Sequence, residues 1–161
     1  MSERHAVYAG SFDPFTVGHL DIVRKASRIF DSVTVLIGKN SEKKRSFPAE
    51  GMRDAIEKVL SFEKLDNCKV VVDEGIVADY CKEHGISFVV RGLRNNMDYN
   101  YEENIAKIIE LINPELECVY LRANNEAISS SMVKELLLYG KDISDFVPIA
   151  VKVKIREIRE K

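Results

Sequence analysis

Residues 6–19 read AVYAGSFDPFTVGH, and their order decides the fold. Ala6–Ala9 form an apolar run, short enough for a buried strand, that stops at Gly10. Turn-forming and hydroxyl residues follow, and then VGHLDIVRKASRIF places Leu20, Val23, Ala26, Ile29 and Phe30 at helical spacing. A strand that ends in a glycine-bearing turn and runs into a helix is the opening of a parallel β-α-β chain.

The same alternation continues to the C-terminus. SVTVLIG (Ser32–Gly38), KVVVDEG (Lys69–Gly75), SFVVRGLR (Ser87–Arg94) and LECVYLRA (Leu116–Ala123) read as further strands. AEGMRDAIEKVLSF, IVADYCKEHG, YEENIAKIIELI, SSSMVKELLLYG and PIAVKVKIREIREK read as helices. Gly85 suits the position just past a helix end, and Pro148 suits a first helical turn. No repeat, linker or low-complexity tract intervenes, so the expectation is an α/β fold in one domain over 1–161. Its five-stranded parallel sheet would carry helices on both faces.

Whole-chain properties narrow the function. A length of 161 residues suits one core, and a net charge of −2 argues against a nucleic-acid partner. Cys68, Cys81 and Cys118 have no CxxC spacing and read as free thiols, with cysteine-held metal disfavoured. The sequence has neither a signal core nor an apolar stretch of membrane-spanning length, so a cytoplasmic protein without a membrane partner is expected.

In a parallel sheet the ligand sits beyond the carboxyl ends of the strands. Four segments fall there: GSFDP, KNSEKKR, RGLR and ANNEAISSS. Gly10 lets backbone amides approach an anion, and Thr16, Gly18 and His19 lie at a helix start where phosphate is favoured. Asp13 or Thr16 could cap that helix. Arg91 and Arg94 offer planar forks for phosphate. The EKKR run reads as a solvated loop, from which only Lys43 is raised by its place after a strand. Three serines, Ser129–Ser131, open a helix, more than the one a cap needs, and could seat terminal phosphates. His5 reads as an exposed residue before the first strand, His84 as a last-turn helix residue where a cation is favoured, and Glu102 as a helix residue close to the arginines. GxxxxGK[ST], GxGxxG and a nucleophile elbow are all absent, which leaves direct transfer of a phosphate-bearing group.

YAGSFDPFTVGHLDIV, VVRGLRNNMDYNYE and ISSSMVKEL, in this order and spacing, closely resemble the bacterial phosphopantetheine adenylyltransferase family of the [HT]xGH nucleotidyltransferases. The likeness runs from the first strand to the last helix. It implies a Rossmann-like nucleotidyltransferase fold and transfer of AMP from ATP to 4′-phosphopantetheine, giving dephospho-coenzyme A and pyrophosphate. It also implies Mg²⁺ carried by the ATP phosphates, with no ligand from the protein, and a homohexamer. By motif, His19 would stabilise the transition state. Ser11, Phe12, Gly92, Leu93, Arg94, Glu102, Asn125, Glu126, Ala127, Ile128, Ser129, Ser130 and Ser131 would bind ATP together with His19. Ser11, Lys43, Val77 and Arg91 would bind the acceptor. The chain departs from the family where Ala9 replaces a usual proline and where the loop before Ile128 is shorter. Two other readings are adenylyl or cytidylyl transfer to another small phosphate, such as nicotinamide mononucleotide or glycerol phosphate, and a non-catalytic nucleotide sensor. RGLR argues against the first, and His19 with Lys43 against the second.

Overall fold

The computed structural model describes residues 2–39, 44–94, 96–124 and 128–161, with backbone alone at 96–98 and 101–102. The elements run β1 (His5–Gly10), α1 (Val17–Ile29), β2 (Ser32–Gly38), α2 (Ala49–Phe62), β3 (Cys68–Asp73) and α3 (Val77–Glu83). They continue with β4 (Phe88–Leu93), α4 (Asn96–Ile112), β5 (Glu117–Arg122), α5 (Ser130–Leu138) and α6 (Ile149–Arg159). All strand pairings are parallel, in the order β3-β2-β1-β4-β5. The expected α/β architecture is therefore the observed one.

The period-two pattern of the strands sorts their side chains into two cores. Ala6 and Tyr8 of β1 with Val33, Val35 and Ile37 of β2 face α1, α2, α5 and α6. Val7, Ala9 and Leu36 point the other way, onto Ala78, Tyr80 and Cys81 of α3 and Ile109 of α4. Both faces are buried, which is why β1 and β2 read as unbroken apolar runs rather than alternating ones.

The chain lays β2 and β3 on one side of β1 and β4 and β5 on the other. The connections diverge at the carboxyl ends of β1 and β4, and a crevice opens there. Gly10, Arg91 and Gly92 stand at its floor.

Two local readings are corrected. α4 begins at Asn96, five residues before the Tyr101 expected from periodicity. The asparagines and aspartate of NNMDYN are intrinsically turn-prone, and the longer helix overrides that preference. His5 is the first residue of β1 and half-buried rather than a surface side chain, with Nδ1 2.5 Å from the Ser32 hydroxyl.

Candidate active site

The crevice is a cavity of about 530 Å³ walled by three of the four segments expected to carry the chemistry. Ser11, Phe12 and Thr16 come from the β1–α1 connection, Gly18 and His19 from the first turn of α1, and Arg91, Gly92 and Arg94 from the end of β4. Ile128 to Ser131 come from the start of α5. Among the described residues the lining holds two arginines and no carboxylate, a composition suited to anions.

Two helices aim their N-termini at this space. Thr16 caps α1: its hydroxyl accepts from the His19 N–H at 3.3 Å, and its own N–H donates to Nδ1 of His19 at 2.9 Å. The pair is a reciprocal capping box with histidine in the usual Glu or Gln position. Ser129 caps α5 by accepting from the Met132 N–H at 3.1 Å. Each N-terminus adds partial positive charge.

The capping box fixes the chemistry of His19. An Nδ1 that accepts a hydrogen bond carries no proton, so the neutral ring carries it on Nε2. Burial holds the imidazole pKa down to about 4, and the nearby Arg94 charge adds to the shift. Near neutral pH the ring is thus an uncharged donor through Nε2. It is held edge-on to Phe12, with centroids 5.0 Å apart, and beside Phe15 at 5.6 Å.

Phe12 has φ of 45°, a left-handed conformation that is rare for a bulky residue. Its ring is buried at 2 % exposure against Tyr8 and His19, so its polar contact with a ligand falls to the backbone. Gly92 also has a steric reason: a Cβ there would stand 3.3 Å from Cγ1 of Ile22.

The three serines divide their work. Ser129 is the cap, as expected for one of them. Ser130 donates to the Pro14 carbonyl at 2.7 Å and ties α5 to the first connection, while Ser131 is exposed at the rim. Arg94 reaches across to the Ile128 carbonyl at 3.3 Å. Asp13 is not the α1 cap; its carboxylate accepts the N–H groups of Ser46 and Phe47, both at 2.8 Å.

Leu93 ends β4, and Val77 starts α3 against the second core; neither belongs to the lining of this cavity. Lys43 and Asn125 to Ala127 lie outside the described residues, as does the side chain of Glu102, whose backbone is in α4. Tyr8, Ile22 and Ala123 line the cavity without having been singled out from sequence. Their apolar character gave no signal apart from core packing. The three cysteines are free thiols outside the lining, and burial pushes Cys68 up to about 11 and Cys81 up to about 12. Such thiols are poor nucleophiles.

Comparison with known proteins agrees with this geometry. The cytidylyltransferase-like family model matches residues 7–136. A phosphopantetheine adenylyltransferase from Thermotoga neapolitana is 44% identical over 144 residues, 88% of each chain. One from Cytophaga hutchinsonii is 40% identical over 148 residues, 91% of this chain and 97% of the relative. The crystal structure of a putative nicotinate-nucleotide adenylyltransferase from Vibrio parahaemolyticus superposes with a TM-score of 0.71. That likeness covers 97% of this chain and 93% of the other at 15% identity, and it bears on the fold alone.

Proposed function

The chain belongs to the phosphopantetheine adenylyltransferase family, and on that premise we propose that it transfers the adenylyl group of ATP to 4′-phosphopantetheine. The products are dephospho-coenzyme A and pyrophosphate, in the penultimate step of coenzyme A synthesis. What supports the assignment beyond the relatives is His19: an uncharged Nε2–H donor at a helix N-terminus, beside Arg94, in the cavity that Arg91 and the α5 start also line.

An oxygen of the acceptor phosphate attacks the α-phosphorus of ATP. The bond from that phosphorus to the oxygen bridging the β-phosphate breaks, and its electron pair leaves with pyrophosphate. The attacking phosphate is largely a dianion near neutral pH, so no general base is needed. The protein's task is to hold two anions together and to offset charge that builds on the α-phosphate oxygens. His19 donates to one of those oxygens through Nε2. Arg91, Lys43 and the Ser11 turn hold the acceptor phosphate, with Val77 lining the acceptor's arm. Arg94 and the N-terminus of α5, with Gly92, Leu93, Glu102 and the segment 125–131, hold ATP.

Magnesium belongs to this reading as part of the nucleotide substrate. Among the described residues no three His, Cys, Asp or Glu side chains are grouped to hold a metal. Mg²⁺ commonly rides on phosphate oxygens and water, and a cavity of hydroxyls and arginines fits a nucleotide that brings its ion with it.

One nucleotidyltransferase domain over 1–161, a homohexamer and a cytoplasmic location complete the proposal. The exposed Phe62, Leu111 and Leu138 are consistent with surfaces that meet other copies, and sedimentation at micromolar concentration reads the assembly. Among the described residues no helix is long and apolar enough to cross a membrane.

The test of function is pyrophosphate release from ATP or CTP with a panel of acceptors: 4′-phosphopantetheine, pantetheine, nicotinamide mononucleotide and glycerol phosphate. Only ATP with 4′-phosphopantetheine should turn over. Pantetheine lacks the nucleophilic phosphate and should be inert. Preference for nicotinamide mononucleotide or glycerol phosphate would reassign the substrate, and binding of ATP with no turnover on any acceptor would favour a sensor.

A further inference from the structure

Arg45 lies between β2 and α2, in a charge run that reads from sequence as solvent-facing. Its side chain is only 13% exposed. Nε donates to the Phe47 carbonyl at 2.9 Å, and one terminal nitrogen donates to the Ser11 carbonyl at 2.7 Å. The other reaches the Phe12 carbonyl at 3.5 Å and stands 3.8 Å from the Asp13 carboxylate. Asp13 returns the connection by accepting the Ser46 and Phe47 N–H groups. The segment before α2 and the turn after β1 are therefore joined from both sides.

The peptide bonds on either side of Phe12 are trans, so each carbonyl points opposite the next residue's N–H. Arg45 draws the Ser11 and Phe12 carbonyls toward itself, which turns the N–H groups of Phe12 and Asp13 away from it. No described residue accepts from either N–H. Successive N–H groups around a left-handed residue make a concavity for an anion, and Phe12 is that residue.

We propose that Arg45 is a positioning residue for the transfer, acting through the Ser11–Asp13 turn rather than on the substrate. Its planar fork fixes two carbonyls so that the Phe12 and Asp13 amides stand ready for the nucleotide phosphate undergoing transfer. This rests on the adenylyltransferase reading for what the phosphate is. The geometry of the fork distinguishes Arg45 from the lysines around it, because an ammonium cannot span both carbonyls and the Phe47 oxygen in one plane.

The test compares wild type, Arg45→Lys and Arg45→Ala by steady-state kinetics and by calorimetric titration with ATP. In both variants the ATP Kd should rise about tenfold and kcat should fall roughly 10- to 100-fold. Millimolar guanidinium should restore part of the kcat of Arg45→Ala and leave wild type unchanged. Should Arg45→Ala fail to fold, Arg45→Lys, which keeps the charge, decides the matter alone. The proposal is overturned if Arg45→Lys keeps both ATP Kd and kcat within about twofold of wild type. A change in Tm with intact kinetics well below it overturns it equally. If wild type binds ATP but does not use 4′-phosphopantetheine, the functional reading fails instead, and the ATP Kd of the variants still settles the role of Arg45.

Discussion

The Thr16 N–H donates to Nδ1 of His19 at 2.9 Å, while the Thr16 hydroxyl accepts from the His19 N–H at 3.3 Å. The same exchange that starts α1 also selects the imidazole tautomer, so the cap and the reactive donor are one structure. A protonated Nδ1 would meet the Thr16 N–H as donor against donor, which adds to the reasons for a neutral ring.

The two functions of His19 can be separated. His19→Gln keeps a side chain that can reach back to the Thr16 N–H from the third helical position, as in an ordinary capping box. It lacks the ring Nε2–H. Stability should stay near wild type while kcat falls by about 10²–10³, the usual loss for one oxyanion donor. Thermal melting and pyrophosphate release measure the two separately. Turnover within a few-fold of wild type would remove His19 from the reaction.

The charge state of His19 is itself measurable. Its pKa in the fold is lowered from 6.5 to about 4, by burial first and by Arg94 second. Between those two values the unfolded chain binds more protons than the folded one, so stability rises with pH across that window. The contribution is fully present above 6.5 and is lost as pH falls toward 4. Nitrogen-detected NMR of the imidazoles should show His19 as a neutral Nε2–H tautomer at pH 7, with its titration near 4. A midpoint at the ordinary value of 6.5 would contradict the burial of the ring, and a proton on Nδ1 would contradict the fixed tautomer.

Gly10 makes a third test. From sequence its use is to let a ligand approach the backbone, and the structure adds a second reason. A Cβ at Gly10 would stand 3.1 Å from Cζ and 3.2 Å from Cε1 of Phe12, whose ring packs on His19. Gly10→Ala should therefore displace that ring, costing about 1–3 kcal/mol of stability and lowering kcat. Gly38→Ala, where the nearest atom is 3.8 Å away, is the control and should be close to neutral. Equal effects of the two substitutions would show that the Phe12 ring is not confined by Gly10.

The strands and most helices were legible because apolar spacing is local. β2 and α2 have the expected bounds, Ser32–Gly38 and Ala49–Phe62, and Gly85 takes a φ of 64° just past α3. His19, Arg94 and the serines could be found because each follows a strand in a parallel sheet, and Arg91 because it stands in the carboxyl-terminal half of β4. Arg45 could not, since its partners are carbonyls 33 and 34 residues away and carbonyls leave no mark in a sequence. Ser130 is similar: its oxygen partner on Pro14 lies 116 residues back, so a serine that joins two segments reads as a spare phosphate donor. Asp13 looked like a cap because the N–H groups it accepts come from a distant loop.

Direct transfer forms no enzyme-bound intermediate, and product stoichiometry reads whether one exists. Purified protein is mixed with Mg-ATP, first alone and then with 4′-phosphopantetheine, and pyrophosphate and dephospho-coenzyme A are quantified together by mass spectrometry. ATP alone should release no pyrophosphate, and one dephospho-coenzyme A should form for each pyrophosphate once the acceptor is present. A burst of pyrophosphate equal to the enzyme concentration before acceptor is added, or pyrophosphate accompanied by free AMP in place of dephospho-coenzyme A, would contradict direct transfer.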